Sequence, residues 1–129
     1  MSKTMKLVSA IIVLAFLTLA PQAEAAVKGH KTITCPLPSG ENLTFIAPAK
    51  LGELPKIDLD YPSKLTLFSF RDGNFLAVAM DESEPSRLRL VISAQLNKAK
   101  GTYDGQLVID EGGNELQLDN APVSCRAGP

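Results

Sequence analysis

The stretch that decides the fold is Lys64-Leu-Thr-Leu-Phe-Ser-Phe-Arg-Asp-Gly-Asn-Phe-Leu-Ala-Val-Ala-Met-Asp81. Two runs rich in β-branched, aromatic and aliphatic residues flank the pair Asp72-Gly73, the strongest short-range signal for a hairpin. A two-residue turn needs a positive φ at both central positions, and Asp and Gly adopt it with little strain. The stretch therefore predicts a β-hairpin, in which three of the chain's five phenylalanines meet.

The two-residue turn also fixes the register of this hairpin. It sets four pairs opposite one another: Phe70 with Phe75, Phe68 with Ala77, Leu67 with Val78, and Leu65 with Met80. A three-residue turn with a bulge would shift the pairing by one residue. The three phenylalanines lie on one face of the hairpin, and the other face carries Leu65, Leu67, Val78 and Met80. Both sets cannot enter one small core, so we expect one set to meet a covering segment, residues 48–62, or a partner protein.

Residues 1–25 have the pattern of a secretory signal peptide. Lys3 and Lys6 precede an apolar run at residues 7–20, and small residues at Ala23 and Ala25 favour cleavage after Ala25. The run is shorter than the roughly 20 residues that a membrane-spanning helix needs, so an uncleaved anchor is the weaker interpretation. We expect residues 26–129 to form a single exported domain, periplasmic or secreted, with no membrane span after cleavage.

The composition of this predicted domain limits the classes of molecule that we expect it to bind. Without Lys3, Lys6 and Glu24 the chain has 11 basic and 13 acidic residues, a formal net charge of −2. Nucleic-acid-binding proteins usually present a clustered basic face, so we expect no nucleic-acid partner. Neither a phosphate-binding loop nor a dinucleotide-binding pattern is present, and we expect no cofactor.

Cys35 and Cys125 are the only cysteines, one near each end of the predicted domain. In an oxidising compartment such a pair usually forms a disulfide. The bridge would close nearly the whole domain, a loop worth roughly 4–5 kcal/mol in the chain-entropy model, and would place the first strand beside the last. An intermolecular bridge and two free thiols are the alternatives, and a redox pair is disfavoured because no Cys-x-x-Cys is present.

Alternation of apolar and polar residues predicts the remaining strands. They cover residues 31–37, 42–47, 57–61, 87–96, 102–110 and 116–125, the last of them interrupted at residues 120–122. Gly105 indicates a bend or bulge, and residues 126–129 are expected to form a disordered tail. Seven or eight short strands without a helical period predict an all-β fold, a small antiparallel β-barrel or sandwich with meander connections. This plan is similar to that of small periplasmic inhibitors of lysozyme and of proteases, and the likeness is one of architecture.

No group of residues indicates an enzyme. His30 is the only histidine and precedes the first strand, where nothing holds an imidazole rigidly enough for nucleophilic catalysis. The sequence Lys28-Gly29-His30 would bind Cu(II) only if Lys28 were the first residue, which the cleavage pattern disfavours. The acidic, glycine-rich turn at residues 110–115 carries oxygen ligands of the kind that Ca²⁺ prefers, but it lacks the full ligand spacing, and a hairpin turn explains it. We therefore expect no metal and no catalytic residues.

Five residues are candidate contacts for a partner. Arg87 and Arg89 fall on the outward side of the predicted strand 87–96, and Arg71 falls on a neighbouring strand, so the three would form a small cationic patch. Surface arginines are more often only solvated. Ile57 and Tyr61 belong to the proline-rich segment 48–62, which is either a binding surface or a crossover that covers one end of the barrel.

These observations favour a non-enzymatic protein-binding module of the bacterial cell envelope, with inhibition of a hydrolase as one form of that function. The alternative is a lipocalin-like carrier of a small apolar ligand, which predicts an internal cavity lined by Leu, Phe and Ala. A hydrolase built on acidic residues is the third hypothesis and requires clustered buried carboxylates in a cleft.

Overall fold

The computed structural model describes residues 31–129, so the predicted signal peptide, the copper motif and His30 lie outside the described residues. Within these residues seven strands form one antiparallel sheet: β1 (Thr32–Pro36), β2 (Asn42–Ile46), β3 (Ser63–Arg71), β4 (Asn74–Asp81), β5 (Leu88–Asn97), β6 (Thr102–Asp110) and β7 (Leu118–Gly128). Their spatial order is β2-β1-β7-β6-β5-β4-β3, and the sheet curls into a half-barrel. The predicted all-β class and the meander from β3 to β7 are confirmed. In this part of the chain no helix has the length and apolar character needed to cross a bilayer.

The disulfide joins the first strand to the last, as predicted. Cys35 and Cys125 are bonded with an S–S distance of 2.07 Å, and their Cα atoms lie 4.2 Å apart. Thr34 is paired with Arg126 in the ladder, so the two cysteines occupy the next opposed positions of β1 and β7. The covalent bond therefore continues the backbone pairing of these two strands.

The central hairpin turns at Asp72 and Gly73, whose φ angles are 55° and 73°. Three of the four predicted pairs are confirmed: Phe70 with Phe75, Phe68 with Ala77, and Leu67 with Val78. The fourth, Leu65 with Met80, is wrong because a β-bulge at Thr66 places Leu65 opposite Ala79. The extra residue turns Leu65 towards the inner face, where it is buried with the phenylalanines.

The inner face of the half-barrel is packed solid with side chains. Phe45 of β2 reaches across to the hairpin, and its ring centroid lies 5.9 Å from that of Phe68 and 5.5 Å from that of Phe75. Aromatic contact thus brings the two edges of the sheet together without hydrogen bonds between β2 and β3. The buried core comprises Ile33, Cys35, Leu43, Phe45, Leu65, Phe75, Ala77, Ala79, Leu90, Ile92, Ala94, Leu107, Val123 and Cys125.

Residues 47–62, here called the strap, run from the end of β2 to the start of β3. The strand predicted at residues 57–61 is wrong, because the strap pairs with neither edge of the sheet. Its three prolines lack the N–H that a ladder requires. Ile57 and Leu59 nevertheless pack against the core, so the strap is a segment that covers apolar side chains.

The outer face of the sheet keeps the rest of the hairpin's apolar side chains. Leu67, Val78, Val91 and Val108 lie directly across from one another on four successive strands. Leu67 is 42% exposed and the three valines are half-buried.

The last strand is longer than predicted. β7 runs without interruption through Pro122, where β1 does not pair with it, so a missing N–H is tolerated. The disordered tail predicted for residues 126–129 is wrong, since Arg126, Ala127 and Gly128 pair with β1. The backbone of β1 supplies the hydrogen-bond partners of these residues, and the local sequence does not reveal them.

Gly105 marks a close approach of two strands. The β5–β6 register is continuous there, so the predicted bulge or bend does not interrupt the ladder. A Cβ at this position would strike the carbonyl oxygen of Ser93 and lie 2.6 Å from the Cα of Ala94. Only glycine lets the two backbones come this near.

Candidate functional site

A groove opens at the end of the half-barrel where β1, β4 and β6 finish and where β2, β3 and β5 begin. Its volume is about 920 Å³. Three segments form its walls: the β1–β2 turn, the final residues of the strap, and the end of β6 with Glu111. The apolar side chains that line it are Leu37, Leu43, Leu59 and Ile109.

Arg89 reaches the groove because β5 carries a bulge. Ala79 is paired with Leu90 but Met80 is paired with Leu88, so Arg89 is the additional residue between them. Arg89 is 6% exposed and its neighbour Leu90 is fully buried, which breaks the alternation predicted for this strand. The expectation that Arg89 lies on the solvated side is therefore wrong, because the bulge turns its side chain inwards.

Two carboxylates hold the Arg89 guanidinium in place. Oδ2 of Asp81 accepts hydrogen bonds from Nε at 2.8 Å and from Nη2 at 2.6 Å. Oδ2 of Asp110 accepts one from Nη1 at 3.0 Å. Hydrogen bonds from Arg89 and from the backbone N–H of Glu84 hold the pKa of Asp81 below its ordinary value. The buried cation is thus paired with two acids at the ends of β4 and β6.

Asp110 is the centre of this network. Its Oδ2 also accepts a 2.7 Å hydrogen bond from Nε of Arg87, while its Oδ1 accepts from the backbone N–H groups of Gly112 and Gln117. Burial by itself would raise the pKa of Asp110, but the hydrogen bonds from Arg87, Gln117 and Gly112 lower it to about 2. The carboxylate is therefore ionised at neutral pH.

Arg87 ties the network to the turn after β6. Its Nη2 donates to the carbonyl oxygens of Gly113 and Glu115 at 3.0 and 3.1 Å, and the hydrogen bond to Asp110 raises its pKa further. These contacts engage the Asp110 carboxylate and two backbone carbonyl oxygens of the turn that was a candidate for Ca²⁺. Within residues 31–129 no three His, Cys, Asp or Glu side chains are grouped to hold a metal ion.

Tyr61 forms a fixed wall of the groove. The Cζ of Arg89 lies 4.3 Å from the centroid of its ring, a cation–π contact. On another side the ring packs so closely on Gly112 that a Cβ there would collide with the phenol. The ring is therefore held between a guanidinium and a backbone, with 40% of Tyr61 exposed.

The remaining charges of the groove are all negative. Of the described residues that line it, Arg89 is the one with a positive side chain, and it is neutralised by Asp81 and Asp110. Four further acids line the groove and form no ion pair within residues 31–129: Glu41, Asp58, Asp60 and Glu111. All four are exposed. The groove thus combines an apolar floor with an acidic rim.

The five predicted contact residues do not form one surface. Tyr61 lines the groove and Arg89 lies beneath it, whereas Arg87 is engaged with Asp110. Ile57 packs against the core, and Arg71 lies at the opposite end beside a second cavity of about 440 Å³. The predicted cationic patch is therefore wrong. The register sets Arg71 opposite Asn74, which pairs with Gln95 at the far end of β5 from Arg89, and the bulge in β5 also turns Arg89 inwards.

Sequence reasoning singled out the acidic turn at residues 110–115 but did not bring the acidic residues of this end together. Asp81 and Asp110 each stand as the last residue of a strand, which is a weak signal that acids share one edge of an antiparallel sheet. Glu41, Asp58 and Asp60 come from two separate loops, and no local pattern connects them.

The fold and the groove define a small, disulfide-closed all-β domain with a loop-lined groove at one end. Comparisons with protein families, with curated proteins and with solved structures find no match for the chain.

Proposed function

We propose that this chain is an exported, non-enzymatic protein-binding module that receives its partner in the groove. The observation that carries the proposal is a loop-lined groove whose walls rest on a rigid sheet, a buried ion network and a clamped tyrosine. Binding residues are often found on loops that a rigid scaffold positions. The disulfide supports an oxidising, exported location, and the periplasm or the exterior of a bacterial cell is the location that we propose.

The carrier hypothesis has less support from the same contacts. A lipocalin-like site needs an apolar chamber inside the barrel, and here Phe45, Phe75 and Ile92 are among the side chains that fill the interior. The groove itself has an acidic rim, which suits a purely apolar ligand poorly.

A hydrolase is also less well supported. It would need buried carboxylates that are free to exchange a proton with substrate. Asp81 and Asp110 are buried at the groove, but each is hydrogen-bonded to arginine and to backbone N–H groups, which lowers its pKa. Such carboxylates serve as fixed anions of a structural ion pair.

The proposal is tested by photo-crosslinking from two positions. A photoreactive amino acid replaces Asp58, which lines the groove, and in a matched protein it replaces Lys98, which is exposed in the turn between β5 and β6 at the opposite end. After export in the native host and irradiation, we expect a defined protein adduct from position 58 and none from position 98. Equal adducts from both positions, or adducts from position 98 alone, contradict the proposal.

A protein captured at position 58 also tests the inhibitor form of the hypothesis. If that partner is a hydrolase, its activity is measured with the exported protein added in increasing amounts. Loss of activity that the Tyr61→Ala variant fails to produce assigns the inhibition to the groove.

A further inference from the structure

We propose that the occupant of the groove is an extended segment of the partner protein that carries a lysine or arginine side chain between apolar ones. This inference rests on the proposed function and specifies the chemistry of the partner. It is drawn from the shape of the groove, its floor and its unneutralised charge.

The floor selects apolar side chains. Leu37, Leu59 and Ile109 are partly buried and face the groove. An apolar group of the partner that packs on them would remove both its own surface and theirs from water. A volume of about 920 Å³ is large enough for several residues of a polypeptide. A single small ion or a lone amine would leave this floor wet.

The rim selects a positive charge. Arg89 cannot attract an anion into the groove, because Asp81 and Asp110 lie against its guanidinium. Glu41, Asp58 and Asp60 line the groove and form no ion pair within residues 31–129, so each of them attracts a positive group that binds there. Within residues 31–129 every buried side-chain nitrogen or oxygen has a hydrogen-bond partner. The polar groups left to bind a partner protein are therefore the exposed carboxylates of the rim.

The same charges disfavour other occupants. A second copy of this chain docked groove to groove would bring one acidic rim against another, and nucleic acids or anionic lipid surfaces would be repelled. A basic and apolar polypeptide segment satisfies both the floor and the rim. The long stem of a lysine or arginine packs on apolar surface while its head stays at the mouth.

Peptide titrations test this inference directly. The probes are three blocked pentapeptides, Leu-Lys-Leu-Lys-Leu and its analogues with Glu or Gln in place of Lys, added to the exported protein with its disulfide intact. We expect amide shifts of groove residues with the lysine peptide, and an affinity at least about tenfold above that of the glutamate peptide at low ionic strength. The difference should shrink at about 0.5 M salt, because exposed charges are then screened.

A pair of charge variants locates the effect. The double variant Asp58→Asn/Asp60→Asn should bind the lysine peptide with an affinity about threefold to tenfold lower, since exposed ion pairs are individually weak. The matched control, Glu53→Gln with Asp72→Asn, removes the same charge at the opposite end and should leave the affinity within about twofold. Unchanged thermal unfolding of both variants shows that they are folded.

Several outcomes would overturn the inference. They are equal binding of the three peptides, equal weakening by the two variant pairs, and binding of free spermidine as tight as that of the lysine peptide. If any of these occurs while the crosslinker at position 58 still captures a protein, the protein-binding function stands and the basic segment is wrong. If position 58 captures nothing, the proposed function itself fails.

Discussion

The guanidinium of Arg89 donates a 3.0 Å hydrogen bond to Oδ2 of Asp110 and thereby links β5 to the end of β6 directly beneath the groove. Both side chains are buried, and a bulge in β5 turns Arg89 inwards so that it meets Asp110, the last residue of β6. Arg89 contacts the ring of Tyr61, and Oδ1 of Asp110 accepts hydrogen bonds from the backbone N–H groups of Gly112 and Gln117 in the turn after β6. An ion network thus takes the place of apolar packing at this end of the core.

Loss of the Arg89 guanidinium should destabilise the fold. The Arg89→Met variant leaves Asp81 and Asp110 buried without their shared cation, so we expect the free energy of unfolding to fall by about 3 kcal/mol. Urea denaturation measures the change. Arg71→Met, at an exposed position, is the control and should alter stability by less than about 0.5 kcal/mol. Similar losses in the two variants would contradict the structural role of the network.

The stability of the protein should fall in acid. The pKa of Asp110 in the folded state is about 2, below the ordinary value of 3.8, so its contribution is complete above about pH 5 and is lost as the pH falls through about 2. The lowered pKa values of Asp81 and Asp104 act in the same direction. Urea midpoints measured between pH 5 and pH 2 test this, and in Asp110→Asn the dependence on pH should be weaker. A midpoint independent of pH over this range would show that the network does not form.

Gly105→Ala should be costly although it adds a single methyl group. The new Cβ would meet the backbone of Ser93 and Ala94, which cannot move without disturbing the β5–β6 ladder. We expect a loss of about 1–3 kcal/mol in the free energy of unfolding. Gly128→Ala is the matched control, because Gly128 also lies in a strand but has open space around its Cα. Equal effects of the two substitutions would mean that strand propensity, and not the close approach, sets the cost.

The clamp on Tyr61 can be tested with two neighbouring glycines. Gly112 and Gly113 have φ angles of 90° and 91°, so alanine is equally strained at either position. Only at Gly112 would the new Cβ meet the ring of Tyr61. The chain has no Trp and only two Tyr, so the tyrosine bands of the near-ultraviolet circular dichroism spectrum are free of overlap from tryptophan. We expect Gly112→Ala to change this spectrum and Gly113→Ala to leave it as in the wild type; the reverse result would place Tyr61 elsewhere.

The disulfide should contribute substantially to stability. Its cysteines are separated by 90 residues, and the chain-entropy model gives about 4–5 kcal/mol for closing a loop of this size, as an upper figure. The double variant Cys35→Ala with Cys125→Ala should therefore unfold at a much lower urea concentration. Reduction of the wild-type protein should produce a similar shift, and reduction should not affect the double variant. A wild-type protein whose midpoint is insensitive to reductant would rule out the bond.

Much of the fold was predictable because its signals are local or covalent. Asp72-Gly73 adopts its turn for reasons of backbone sterics, and alternation along residues 102–110 identifies a half-buried strand. The pairing of Cys35 with Cys125 follows from their number and their compartment. None of these inferences requires knowledge of which distant residue is the neighbour.

The groove was not predictable in the same way. Thr66 and Arg89 look like ordinary members of alternating strands, and only the register against β4 shows that each is an extra residue. A bulge can turn two successive side chains towards the same face, so one unseen bulge buried Arg89 beside Leu90 where strict alternation predicted a surface arginine.

The sequence by itself therefore determined the all-β class, the central hairpin and the disulfide, because period, turn chemistry and cysteine number act at short range or through a covalent bond. The tertiary structure alone decided that residues 126–128 form a strand, that the strap pairs with neither edge, and that an acidic groove forms over Arg89. Each of these depends on backbone groups and charges that lie far apart in the chain and meet only when the sheet curls. The free energy that stabilises these features comes from contacts between distant residues, so no local stretch of sequence predicts them.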